Sequence, residues 1–335
     1  MKHIFISLTL LFFTNLYAQN IGNDFYNEIF GINNEKVNTA IKNHNFYKIN
    51  AEKGNLDAQY NLGVSYELGH GTEKNYTKAI YWYRQSAESG FDSAEYNLGV
   101  MYDQGRGISQ DYKQALYWYK KSALHGNPKA QYNLGILYDN GRGVKKDYEE
   151  AAKWYKLSAN QDYANAQNNL AYMYEHGQGV VQDSVKALEL YTLSASSGNS
   201  FANYSLAVKY HFGNGVKQNF SQAIKLYKIS AKAGNSDAQV NLGSMYKNGE
   251  GTIKDVSKAI KYYKLSANQN NPFGQFNLCK AYFSGNGVLE DQRKAFELCT
   301  KSAQQGNDEA IKYLDLMRKR NPSLFKKKET LFNEF

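Results

Sequence analysis

Seven copies of one 36-residue pattern constrain this chain more than any other feature of it. Ala58, Ala94, Ala130, Ala166, Ala202 and Ala238 lie 36 residues apart, and Gly274 continues the series. Counting from these residues as offset 0, offset 4 is always Leu (Leu62 to Leu278) and offset 8 is always Tyr (Tyr66 to Tyr282). Offsets 21 and 29 are always Ala, and Gly recurs at offsets 11 and 13. A unit this short cannot bury a core alone. Stacked copies can, so stability belongs to the array rather than to any one copy.

The spacing within a copy predicts a helical hairpin. Offsets 0, 4, 7 and 8 fall on one helical face. Glycine at offset 11 ends that helix, because it accepts the left-handed exit conformation. Offset 17 is Asn or Asp in every copy (Asn75, Asp111, Asp147, Asp183, Asn219, Asp255, Asp291), placed to cap a second helix at about 1 kcal/mol each. That helix carries Ala at 21, large residues at 24 and 25 such as Trp82-Tyr83 and Trp118-Tyr119, and Ser at 28. The Gly-Arg-Gly of "YNLGVMYDQGRG", residues 96–107, is therefore one of seven interhelical turns. A phosphate-cradling glycine loop occurs once, after a strand, so that reading is excluded.

The expected architecture is all-α, with seven helix-turn-helix repeats over 58–309 between degenerate caps at 19–57 and 310–335. The chain is 15% aromatic with only 3 Pro, which excludes a disordered polypeptide. Its start, "MKHIFISLTLLFFTNLYAQN", reads as a signal peptide over 1–18: Lys2 and His3, then the apolar run Ile4–Phe13, then Ala18 before the cleavage point. Ten apolar residues are too few to span a bilayer of about 30 Å, so no integral membrane span is expected. The formal net charge is +9, with much of the excess in residues 311–335, so the repeats are only mildly basic. No nucleic-acid partner is expected, and the protein is read as a monomer.

The phrase A-x-Y-N-L-G-x-M-Y-x-x-G-x-G-V-x-x-D-x-x-K-A-x-x-W-Y-x-x-S-A-x-x-G resembles the Sel-1-like repeat (SLR) family, relatives of the tetratricopeptide repeats with a longer glycine-bearing turn. The resemblance covers residues 58–309. It implies a right-handed α/α superhelix, a solenoid, that binds other proteins as an adaptor and carries out no reaction. In such a superhelix the first helices line the concave side. At 100° per residue, offsets 2, 6 and 9 lie opposite the packed face and are expected to line a groove. They supply the candidate partner-binding residues Tyr60, Val64 and Glu67; Tyr96, Val100 and Asp103; Tyr132, Ile136 and Asp139; Tyr172 and Glu175; and Tyr204 and His211. A face turned from the core that is still aromatic and aliphatic suits a peptide or protein ligand. Acids at offset 9 through the first four copies suit a basic segment in that partner. The Asn series at offset 3 (Asn61, Asn97, Asn133, Asn169, Asn241, Asn277, with Ser205) is read as structural bonds to the adjoining copy.

Chemistry is sparse. Cys279 and Cys299 occupy offsets 5 and 25 of the seventh copy, across one helix pair. Two states are open for them, a disulfide or two buried thiols, because a bridge requires Cα atoms within about 7 Å. No Cys/His spacing suits a metal, and no cofactor is expected. The resemblance brings one enzymatic alternative, because cysteine-rich members are linked to β-lactam binding. Here the cysteine pair in every copy is missing, and the S-x-x-K matches at Ser244–Lys247 and Ser323–Lys326 lack the companion motifs. The reading is a non-catalytic interaction scaffold, exported to the periplasm of a Gram-negative cell. A secreted host-interaction factor or a binder of cell-envelope polymer is the alternative.

Overall fold

A computed structural model of the chain describes residues 34–320, which form sixteen helices and no strand. The proposed signal peptide, the first part of the N-terminal cap and residues 321–335 lie outside the described residues. The helices are α1 (Asn34–Glu52), α2 (Leu56–Leu68), α3 (Tyr76–Glu88), α4 (Asp92–Gln104), α5 (Tyr112–Leu124), α6 (Pro128–Asn140), α7 (Tyr148–Ala159) and α8 (Ala164–His176). They continue as α9 (Ser184–Ser196), α10 (Ser200–Phe212), α11 (Phe220–Lys232), α12 (Ser236–Asn248), α13 (Val256–Asn268), α14 (Pro272–Ser284), α15 (Gln292–Gln304) and α16 (Asp308–Arg320). Two compact units divide the chain: one runs through Tyr163 and includes Gln178–Val180, and the other holds Ala164–Gly177 and everything from Val181. Within each unit consecutive helices pack in tandem, so the fold is an all-α repeat array.

The turn chemistry is as the spacing requires. Asn75, Asp111, Asp147, Asp183, Asn219, Asp255 and Asp291 each accept a backbone N–H of the second helix that they precede. In the same turns Gly107 needs its residue type twice over. Its φ is +69°, and a Cβ would run into Tyr76 of the preceding hairpin. The Ser at offset 28 ties the two helices of a copy together by donating to a carbonyl 30 residues earlier, as Ser122 does to Asp92 O at 2.8 Å and Ser230 to Ser200 O at 2.8 Å. Ser266 departs from this. Its Oγ has no partner among the described residues and occupies the space that the missing methyl of Gly274 leaves open.

The core of a copy is a glycine pressed against a tyrosine. Tyr83, Tyr119, Tyr155, Tyr191 and Tyr227, all at offset 25, are the largest fully buried side chains. A methyl at Gly99 would sit 2.5 Å from Tyr119 Cδ1, and the same holds for Gly63 against Tyr83 at 2.6 Å. In the fourth and fifth copies Ala171 and Ala207 stand at that offset and are themselves fully buried, so one methyl can be absorbed by a small shift. Gly99→Ala is accordingly expected within about 1 kcal/mol of the parent, and Gly99→Leu about 3 kcal/mol less stable. Urea midpoints measure both, and equal midpoints for the two variants would contradict this packing.

The seventh copy replaces that contact with a covalent bond. Cys279 and Cys299 form a disulfide with Cα atoms 5.5 Å apart, so the helical level at which each sits does not keep them apart. The two halves of a copy are also stapled at the edge by amide pairs 30 residues apart, such as Gln161 to Gln131 and Gln269 to Gln239, both at 2.8 Å. In the second copy the same two positions hold fully buried Glu95 and exposed His125, with Oε2 and Nδ1 2.8 Å apart.

Candidate functional site

The candidate face is built on the first helices of the hairpins. In the first unit α2, α4 and α6 carry Tyr60/Val64/Glu67, Tyr96/Val100/Asp103 and Tyr132/Ile136/Asp139, and all nine side chains are half-buried. In the second unit α8 carries Tyr172, 48% exposed, and Glu175, half-buried, while α10 carries half-buried Tyr204 and buried His211. The offset-2 tyrosines lean on the buried offset-25 tyrosines of their own hairpins: Tyr60 on Tyr83 at 5.9 Å between ring centroids, Tyr132 on Tyr155 at 5.8 Å, Tyr204 on Tyr227 at 6.0 Å. Phe91 and Tyr163 cover two of them further, at 5.4 Å from Tyr60 and 5.3 Å from Tyr132. The sequence reading missed Phe91 and Tyr163. They hold the position where Asn55, Asn127, Asn199, Asn235 and Asn271 cap the first helices, so the position reads as irregular when scanned by residue type.

The offset-9 residues are drawn into an internal network. Tyr83 Oη donates to Glu67 Oε2 at 2.7 Å, Tyr119 to Asp103 at 3.2 Å, Tyr155 to Asp139 at 3.3 Å and Tyr191 to Glu175 at 2.9 Å. From the other side the offset-3 residue of the next copy bonds the same phenol, as Asn241 Nδ2 does to Tyr227 Oη at 3.1 Å and as Asn97 and Asn133 do to Tyr83 and Tyr119. The rungs at Tyr83 and Tyr119 thus run acid, phenol, amide; at Tyr191 the third member is the Ser205 hydroxyl, and at Tyr227 the first is His211. The phenols of Tyr83, Tyr119 and Tyr191 are pushed far above their usual range, by burial first and then by the adjacent carboxylates. They therefore remain donors at any physiological pH.

Charge on the first two rungs is balanced from the following turn. Arg106, the arginine of Gly-Arg-Gly, reaches back 39 residues to Glu67 at 3.2 Å, and Arg142 acts on Asp103 at the same spacing. In the second unit the turn residue is an acid and the spacing is kept: His211 Nε2 lies 2.9 Å from Glu250 Oε2. At His211 the departure from an acid at offset 9 is thus met by Glu250 inside the molecule. Glu175 takes its cation from α10, where Lys209 is 7% exposed and donates to it directly.

Two acids at one offset titrate in opposite directions as a result. Burial raises Asp103, and neither the Tyr119 hydroxyl nor Arg142 offsets it. Burial also presses on Glu175, but the hydrogen bonds from Lys209 and Tyr191 outweigh it, so that carboxyl sits below the usual range. A carboxyl depressed in the folded state contributes stability above its unfolded value of about 4.3, and loses it as pH falls through the folded value. Lys209→Met should therefore destabilise the chain most at neutral pH, with the difference from the parent shrinking below about pH 4. Urea midpoints at both pH values test this; a pH-independent difference would contradict it.

No helix among the described residues is long and apolar enough to cross a membrane. Comparison with known proteins identifies the repeat. The Sel1 repeat model matches seven consecutive segments, residues 56–91, 92–127, 128–163, 164–199, 200–235, 236–271 and 272–307. No curated protein matches the chain. Among solved structures, a protective antigen present in uropathogenic Escherichia coli strains, displaying an SLR fold, is 39% identical over 81% of this chain, with a TM-score of 0.71. This chain covers 58% of that antigen's length. A Sel1 repeat protein from Oxalobacter formigenes is 30% identical, covering 82% of this chain and 79% of its own, with a TM-score of 0.66. Members of this class are generally protein-interaction scaffolds. The chain belongs to the Sel1 repeat family.

Proposed function

We propose that the protein is an exported, non-catalytic scaffold that holds a peptide or protein partner against the first helices of its repeats. The observation that carries this is a set of tyrosines on the first helices, Tyr60, Tyr96 and Tyr132 in the first unit and Tyr172 and Tyr204 in the second. Each is half-exposed, and four are backed by a buried phenol that is itself hydrogen-bonded. Rigid aromatic area with a polar tip loses little conformational freedom on binding. Val64, Val100 and Ile136 extend that area. A basic segment of the partner fits the first unit best near Asp139, because the turn after it carries Gln178 where Arg106 and Arg142 stand in the earlier turns. Export is supported by the signal-like start and by the Cys279–Cys299 disulfide, a bond favoured in oxidising compartments.

A photo-crosslinking amino acid at position 96, compared with one at the exposed Tyr117 on a second helix, tests the surface in intact cells. The expected result is a discrete crosslinked partner from position 96 and none from 117; the same products from both would overturn it. The resemblance to a protective antigen favours a second location, outside the cell. Fractionation of cells from culture medium separates the two, and an intact N-terminus at Met1 would count against export altogether.

A further inference from the structure

The sixth rung breaks the pattern of the first four. At offset 9 it carries Lys247 instead of an acid, and Tyr263 Oη turns to Ser244 Oγ at 3.1 Å. The next first helix, α14, adds Lys280 at offset 6, where every earlier copy has Val, Ile, Tyr or Ser. The following turn carries Asn286 where Arg106 or Glu250 supplies the counter-charge elsewhere. Lys247 and Lys280 open onto one small cleft together with Tyr263, Asn277, Ser284 and Asn286. Among the described residues neither lysine makes an ion pair. Glu309 attracts Lys280 only at a distance, and the Lys280 ammonium lies over the Phe276 ring, 4.2 Å from its centroid. Burial, reinforced by Lys247, holds the Lys280 ammonium below its usual range.

Two cations sharing a partly dry cleft repel each other, and an anion between them relieves that cost. The molecule shows how it meets the same chemistry elsewhere. Glu67 lies between Tyr83 Oη and Arg106, and Glu175 between Tyr191 Oη and Lys209. The sixth rung has the phenol and the cations but no carboxylate.

We propose that Lys247 and Lys280 bind a carboxylate group of a peptide ligand, in the place that an intrinsic acid fills in earlier repeats. The cleft has room for one such group, with Asn277 and Asn286 as further donors. This site rests on the reading of the chain as a peptide-binding scaffold, but its test reads binding in vitro at a different pair of residues. A lost crosslink at position 96 and a lost anion site are therefore separate results.

Calorimetric titration of the full chain with tetraglutamate, tetraglutamine and inorganic phosphate makes that test. Tetraglutamate is expected to bind and to weaken as salt is raised, while tetraglutamine shows no heat. The K247M/K280M variant keeps the lysine stems' apolar bulk and should lose at least tenfold in affinity. Its thermal midpoint should be unchanged or higher, since a charge repulsion is gone. A 13C-dimethyl-lysine spectrum of the parent protein gives a readout independent of the variant's folding, with the Lys247 and Lys280 signals shifting on addition of tetraglutamate. The assignment is overturned if tetraglutamate does not bind up to millimolar concentration, if the variant binds as the parent does, if those two signals stay still, or if phosphate binds as tightly as the peptide.

Discussion

Tyr119→Ala should lower stability by about 4 kcal/mol, while Tyr119→Phe should cost only about 1 kcal/mol. Tyr119 is fully buried against Gly99, so truncation opens a cavity beneath a backbone that cannot close over it. The phenylalanine variant keeps the ring and removes one hydroxyl that donates to half-buried Asp103 and is bonded by Asn133. Hydrogen exchange read peptide by peptide distinguishes the two losses. The alanine variant should lose protection through α4, α5 and α6, because the ring supports its own hairpin and the next. The phenylalanine variant should show a small change confined to the rung. Equal midpoints for Phe and Ala would mean that the ring's volume is not what holds the hairpin.

Opening the Cys279–Cys299 bond should cost about 3 kcal/mol, the chain-entropy value for a loop of roughly this length; the residues are 20 apart in sequence. C279S/C299S measures the loss in urea, with reductant expected to weaken the parent to the same level. Because the pair sits at the glycine–tyrosine offsets, a packed replacement is available. C279G/C299F should recover part of the loss and be indifferent to reductant. Phenylalanine suits this place better than tyrosine, since Phe283 stands where the first four copies keep an acid to accept the phenol. A parent protein whose midpoint ignores reductant would remove the bond from the account of stability.

The fold was legible because its determinants recur. Leu at offset 4, the capping Asn or Asp at 17 and glycine at 11 each repeat seven times, which no chance pattern does, and the structure places each where local chemistry demands. The candidate face was less legible, for a geometric reason. A helical wheel gives the direction in which Glu67 or Asp103 leaves its helix, but it holds no information on what stands across from it. The phenol opposite lies 16 residues on, in the second helix of the same hairpin, and Arg106 lies 39 on, in the next hairpin, so both contacts depend on how helices pack across from one another. The change of residue type at offset 9 was visible in the sequence, yet the partners of Glu67 and His211 stand at offset 12 of the next copy. The disulfide was undecidable for the same reason, since spacing along two helices does not fix the distance across them.

The backward reach of 39 residues also numbers the hairpins. Arg106 is matched to an acid behind it and Glu250 to a histidine behind it. Interchanging the second and sixth copies would set glutamate against Glu67 and arginine against His211. The second and sixth modules are thereby made non-interchangeable: each of these two carries, in one turn residue, the address of its predecessor. Recombination within the gene that shuffles whole copies would conserve every glycine and leucine and still scramble that address.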